Sequence, residues 1–296
     1  MTSRIVVGYT ATKTGRDAVA FAARLAVATG ASLDLAIVLP VEGRSVITPP
    51  DAGYDSYLRD QASTWLAEAA AKLPASVSHE AHVTYAEPFS EGLIELADQI
   101  DASYIVVGAA SGGLRGRHRV GSTTNELLHS SDVPVVLVPR GARKIDPAVG
   151  ISRLTAAVGM RPGAQALLDE AAALSAAADA PLRLLSLVTV DLPASVDTGV
   201  IRVAEAAHAE EVLAAAQASL PEGVAADVIA ARGDSIEKAV THLDWEPGEV
   251  ILVGSSRLAQ PRRLFLGSTA AKMLNEVTVP VIVVPRTRGA VEGSAQ

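Results

Sequence analysis

Gly121, Ser122 and Thr123 open the stretch GSTTNELLHS, and these residue types in this order suit the capture of an anion. Glycine lets a ligand approach the backbone closely, and the first amides of a helix have no intrahelical acceptor while the helix dipole turns its positive end towards them. Ser122 and Thr123 add hydroxyl donors. The same trio returns as Gly267, Ser268 and Thr269. Arginines 115, 117 and 119 precede the first copy and arginines 257, 262 and 263 the second, so both carry local positive charge. The plainer reading is that Ser and Thr are good helix caps and that arginines cover a surface loop.

The duplication extends well beyond the trio. VVGAASGGLRGRHRVGSTTNELL at 106–128 is answered by LVGSSRLAQPRRLFLGSTAAKML at 252–274, and 254 − 108 and 267 − 121 both give 146. Upstream, RIVVGYTATKTGRDAVAFAARLA at 4–26 is answered more loosely by RLTAAVGMRPGAQALLDEAAALS at 153–175. A repeat of this length predicts two homologous domains. Their expected bounds are 1–142 and 153–287, with RGARKIDPAVGIS supplying a linker over 143–152 and a disordered tail over 288–296.

Within the first half, Ile5 to Gly8 is a branched-aliphatic run, and Ala18, Phe21, Ala22 and Leu25 follow at helical spacing up to Gly30, a natural stop. SLDLAIVL, SVSHEAHVTY, YIVVGA and PVVLVPR read as further strands. Helices fall at about 54–73, in PFSEGLIELADQI and in GSTTNELLHS. The second half repeats the alternation, with strands near 153–158, 182–189, 224–230, 249–254 and 280–285. Strands joined by helices need parallel crossovers, so an α/β fold with a doubly wound sheet is expected in each domain. In such sheets ligands bind beyond the carboxyl ends of the strands, where strand order reverses.

Composition narrows the chemistry. The chain of 296 residues has no cysteine, which removes disulfides, thiolate metal sites and thiol nucleophiles. A net charge of −8 opposes bulk attraction to nucleic acid or anionic membrane. No signal-peptide pattern opens the sequence and no segment approaches about 18 uninterrupted apolar residues, so a cytoplasmic location is expected.

With Gly108 and the pair Gly121-Ser122, matched by Gly254 and Gly267-Ser268, the two halves resemble tandem universal stress protein domains, whose signature is glycine, two residues, glycine, nine residues, glycine, then serine or threonine. The resemblance implies two flavodoxin-like, or adenine nucleotide alpha hydrolase-like, domains. Each would have a five-stranded parallel sheet in the order 3-2-1-4-5 and about four helices. It implies ATP or another phosphate-bearing small molecule as ligand, and a homodimer or an intramolecular pseudo-dimer, for which the apolar, proline-bounded last strands are suited. Carried over, the binding set is Thr10, Ile37, Gly108, Ser111, Gly121, Ser122 and Thr123 in the first half, with Arg161, Leu187, Gly254, Arg257, Gly267, Ser268 and Thr269 in the second. Both halves depart from the pattern: Ser111 and Arg257 replace the middle glycine, with Gly112 and Gly113 next to Ser111. Thr10 and Arg161 stand where nucleotide-binding members tend to carry an acid, which speaks against a magnesium-assisted mode because magnesium prefers carboxylate oxygens.

Other constellations fail. Ala109, Ser111 and Gly113 loosely imitate a nucleophile elbow but lack marked histidine and carboxylate partners. His79 and His82 lie three apart on a strand, hence on opposite faces, and the other histidines are scattered, so surface positions and no metal are expected. The expected function is a non-catalytic stress sensor or regulator that binds an adenine nucleotide. The alternative is a scaffold acting through dimerisation and protein partners, and slow ATP hydrolysis ranks last because no general base is visible.

Overall fold

The computed structural model of the protein describes residues 3–41, 52–110, 120–159, 164–189, 199–255 and 266–285. Ser111, Arg161, Arg257, the loop arginines named above and the tail lie outside the described residues. The chain forms two compact units, the main change-over following Gly150 and residues 128–134 being grouped with the second.

The first unit runs β1 (Arg4–Gly8), α1 (Lys13–Thr29), β2 (Ser32–Leu39), α2 (Ala52–Ala70), β3 (His79–Tyr85), α3 (Phe89–Gln99), β4 (Tyr104–Gly108), α4 (Ser122–Ser130) and β5 (Val135–Val138). Its strands pair in the order β3-β2-β1-β4-β5, every pair parallel. The second unit runs β6 (Leu154–Ala157), α5 (Ala164–Ala178), β7 (Leu182–Thr189), α6 (Gly199–Ala218), β8 (Ala226–Gly233), α7 (Ile236–Thr241), β9 (Val250–Gly254), α8 (Ser268–Glu276) and β10 (Val281–Val284). Its order is β8-β7-β6-β9-β10, again parallel. Both units therefore show the expected 3-2-1-4-5 order.

The inner strands are aliphatic on both faces because helices cover both. Ile5, Val6, Val7, Ile105 and Val106 are all buried. On α1, Ala18 and Ala22 let the helix lie close to the sheet while Phe21 and Leu25 fill the space beside them, all four fully buried. Thr12 caps this helix by accepting the Gly15 amide at 3.2 Å, and Gly30 ends it with φ at 69° in the left-handed region that glycine tolerates. α2 stops before Pro74: residues 71–73 wind on as a tighter turn, Leu73 donating to the Ala70 carbonyl at 3.0 Å.

The expected linker is more ordered than its composition suggests. Residues 142–144 and 147–149 form two short 3-10 turns. Fully buried Asp17 on α1 accepts the amides of Gly141 and Arg143, each at 3.0 Å, and pairs with the Arg143 guanidinium at 2.8 Å. A buried aspartate in the second turn of a helix marks such an anchor, but its acceptor role is invisible until the linker is placed.

Candidate functional site

In the first unit the chain steps from β1 to β2 and on to β3, then returns past β1 to β4, so strand order reverses between β1 and β4. The crevice beyond their carboxyl ends is the place where such folds take ligands. Thr10 stands there, immediately after β1. Its hydroxyl lies 3.0 Å from that of Thr12, which lies 3.0 Å from that of Thr14, giving a short chain of hydroxyls across the turn into α1. Gly108, at the end of β4, is pressed against this turn, since a Cβ added to it would sit 2.3 Å from the Thr14 carbonyl oxygen. One residue on, Ala109 donates to the Val138 carbonyl at 2.8 Å. A Cβ added at Gly121 would meet the Ala110 Cβ at 3.2 Å, so the strand end and the start of α4 stand side by side.

Gly121 and Gly267 hold equivalent places ahead of their helices, each accepting the first intrahelical bond, from Asn125 at 2.8 Å and from Ala271 at 2.9 Å. Ser122 and Ser268 are exposed, while Thr123 and Thr269 are half-buried. The N-cap of α8 is Gly267, which has no side chain to accept from the first amides of that helix.

Charge around the crevice of the first unit is distributed selectively. α1 and α4, whose amino ends flank the crevice, carry no acid in the first turn, and α1 carries the exposed cations Lys13 and Arg16 there. α2 and α3, which do not flank it, carry Asp55 and Glu91. In the second unit α5 and α8 again lack a first-turn acid, but so does α6, and only α7 among its helices has one, Glu237. Cations at a helix amino end oppose the dipole unless an anion joins them. The amino end of α3 is answered instead from within the fold, because buried Ser90 donates to the Glu126 carboxylate on α4 at 2.7 Å. Tyr9, beside Thr10, is pushed above the ordinary phenol range chiefly by burial, so its hydroxyl stays protonated.

Sheet register corrects two pairings between the halves. Ile5 and Leu33 are partners in β1 and β2, as Leu154 and Leu182 are in β6 and β7, so this part of the repeat is offset by 154 − 5 = 149. The counterpart of Thr10 is then Gly159, where an added Cβ would meet nothing within 4 Å among the described residues, and Arg161 corresponds in sequence to Thr12. Likewise Tyr9 donates to Ala36 and Val158 to Leu185, both at 2.8 Å. Because backbone groups alternate sides along a parallel strand, the next groups on the crevice side belong to Val38 and Leu187. Leu187 thus has Val38 as its counterpart, while the buried Ile37 turns its backbone towards β3.

The opposite, amino edge of each sheet holds charges that sequence patterning missed. Asp34, fully buried on β2, accepts both Arg4 Nε, at 2.9 Å, and Arg4 Nη2, and His82 Nε2 lies 2.7 Å from its Oδ1. Arg4 also donates to Glu80 at 3.0 Å. His82 is therefore a half-buried partner of a buried acid and not a plain surface residue. The ligating atoms of Asp34, Glu80 and His82 lie within 4.8 Å of one another, as a metal set would, yet the Arg4 guanidinium bridges both carboxylates and supplies the positive charge. In the second unit the position of Asp34 is held by Arg183, so the buried charge is reversed. Arg183 donates to Glu249 at 2.7 Å and to Thr155 at 3.0 Å, and Arg153 donates to the other Glu249 oxygen at 2.7 Å. Glu249 holds Arg153 above the ordinary guanidinium range, whereas burial pushes Arg183 below it.

Two doubly wound α/β units, each with a crevice at the same switch point, define a tandem-domain class. The model of the universal stress protein family matches residues 1–139 and 150–285, and the chain belongs to that family. Universal stress proteins of Mycobacterium tuberculosis and Mycobacterium bovis are each 29% identical to it over 301 residues, covering 95% of this chain and 99% of theirs. Among solved structures, a universal stress protein from Archaeoglobus fulgidus covers 96% of this chain and 98% of its own at a TM-score of 0.66 and 19% identity. A further one from Pseudomonas aeruginosa aligns at a TM-score of 0.59 and 16% identity, covering 96% and 93%. At these identities the two structures speak for the fold alone. Among the described residues no helix is long and apolar enough to cross a membrane.

Proposed function

We propose that this universal stress protein is a non-catalytic sensor or regulator that binds an adenine nucleotide of the ATP type, its phosphates lying over the amino ends of α1 and α4 in the first unit and of α5 and α8 in the second. The observation that carries this reading is the charge at the first unit's crevice: α1 and α4 lack the first-turn acids that α2 and α3 carry, and α1 adds Lys13 and Arg16. Phosphate oxygens would accept from Ser122, Thr123 and the Thr10 hydroxyl, with the corresponding Ser268 and Thr269 in the second unit. The base would meet backbone groups at Val38 and Leu187. The hydroxyls of Thr10, Thr12 and Thr14 occupy the turn where a magnesium ion would want carboxylates, so binding is proposed to be independent of magnesium. No side chain at the crevice is assigned a catalytic part.

Of the two sites the first is proposed as the tighter, because Gly112 and Gly113 keep the backbone beside Ser111 adaptable, while Arg257 has no glycine neighbour. Calorimetric titration with ATP tests the reading. Wild type should release heat equally with magnesium and with a chelator, and Gly121→Val should weaken binding by about tenfold or more, roughly 1.4 kcal/mol. Gly267→Val should cost less. Absence of heat across millimolar nucleotide would leave the scaffold reading, in which the Gly-Ser-Thr starts are helix caps and partners bind elsewhere.

A further inference from the structure

In the connection from β5 to β6, α1 holds the segment Gly141 to Gly150 at two points. At the amino end the hold is saturated: both Asp17 oxygens are engaged, by the Gly141 and Arg143 amides and by the Arg143 guanidinium. Seven residues further along the same helix face, Arg24 holds the other end through one long bond, Nη1 to the Gly150 carbonyl at 3.3 Å. Arg24 is 4% exposed, and its Nε and Nη2 are buried with no hydrogen-bond partner. The ring of Phe21, 5.6 Å away, offers its face to the charge but accepts no strong hydrogen bond.

Arg183 shows what a satisfied guanidinium at similar depth looks like. It is 7% exposed, and its Nε and Nη2 both reach acceptors, on Thr155 and Glu249. Burying a cation without such partners is costly, and burial alone pushes Arg24 below the ordinary guanidinium range. The segment between the two anchors is held by its own short turn. Residues 146–149 are all exposed, and their turn closes on itself, with Asp146 accepting the Ala148 amide at 2.9 Å and the Val149 amide at 3.0 Å. Gly150 has φ 60° and ψ −137°, backbone angles open to glycine and closed to most other residues, so it can change conformation as its carbonyl leaves Arg24.

We propose that segment 141–150 is a strap locked to α1 at Asp17 and released at Gly150, its opening returning Arg24 to water while Gly141 to Lys144 stay in place. The strap follows from the first unit alone and does not depend on the nucleotide reading.

Two experiments on the full chain decide it. Phenylglyoxal labelling with peptide mapping should modify Arg24 on the order of tenfold faster than Arg183, because only the strap end opens without breaking an ion pair. Equal or slower labelling of Arg24 would overturn the proposal. In Arg24→Met, where an apolar side chain fits the buried position, hydrogen exchange at Val149 and Gly150 should slow several-fold with Gly141 and Arg143 unchanged. Exchange at Val149 and Gly150 that is unchanged or faster would also overturn it, and the wild-type labelling stands even if that variant does not fold.

Discussion

Glu249 is the anion on which two arginines depend, and it is fully buried at the amino edge of the second sheet. Neutralising it leaves Arg183 buried without its ion-pair partner and Arg153 with only the more exposed Glu246, 2.6 Å from its Nη1. Glu249→Gln should therefore lose about 3–5 kcal/mol in urea unfolding. Asp234→Asn, which breaks the exposed pair of Asp234 with Lys238 at 3.0 Å, should change stability by no more than about 1 kcal/mol. A loss of under about 1 kcal/mol for Glu249→Gln would mean that the network is relaxed by water. These centres were not legible beforehand for a physical reason. Asp34 and Arg183 occupy equivalent places with opposite charge, so comparing the halves hides the position instead of marking it. Their partners come from other strands whose register is not visible in the sequence. The glycine, serine and threonine of the cradle were legible, because their types and spacing carry the chemistry directly and recur at a constant offset.

Strand and helix identity could be read from hydrophobic period and from punctuation such as Gly30, the expected stop, which ends α1. What period alone does not convey is parity. SLDLAIVL is apolar on both faces, so nothing in it tells whether Ile37 or Val38 turns its backbone to the crevice, and only the bond from Tyr9 to Ala36 decides. The signature glycine ending β4 is held by a contact that the sequence does not show, since a Cβ at Gly108 would run into the Thr14 backbone at 2.3 Å. Gly108→Ala should therefore cost about 1–3 kcal/mol through displacement of the β1-to-α1 turn. A thermal shift no larger than that of an ordinary surface substitution, about 0.5 kcal/mol or less, would contradict this. At Gly121 the nearest described atom to an added Cβ is the Ala110 Cβ at 3.2 Å, which makes it a better position than Gly108 for probing the ligand.

Across the whole molecule, duplication was the strongest sequence signal and placed the chain in its architecture before any contact was known. It also carried the family resemblance that the match over 1–139 and 150–285 supports. Duplication does not make the halves identical. Glu126 of α4, bonded to Ser90, has Lys272 as its counterpart on α8, and Thr10 has Gly159, so the two crevices offer different fields and different room to one ligand. The central claim is that each unit takes a nucleotide's phosphates at its crevice. Amide chemical shifts followed during an ATP titration of the full chain test it most directly. The account predicts that the largest shifts fall on Ser122, Thr123, Ser268 and Thr269, with Val38 and Leu187 moving alongside, whether or not magnesium is present. Saturation of binding with those amides unmoved, or no shift at millimolar ATP, would contradict it.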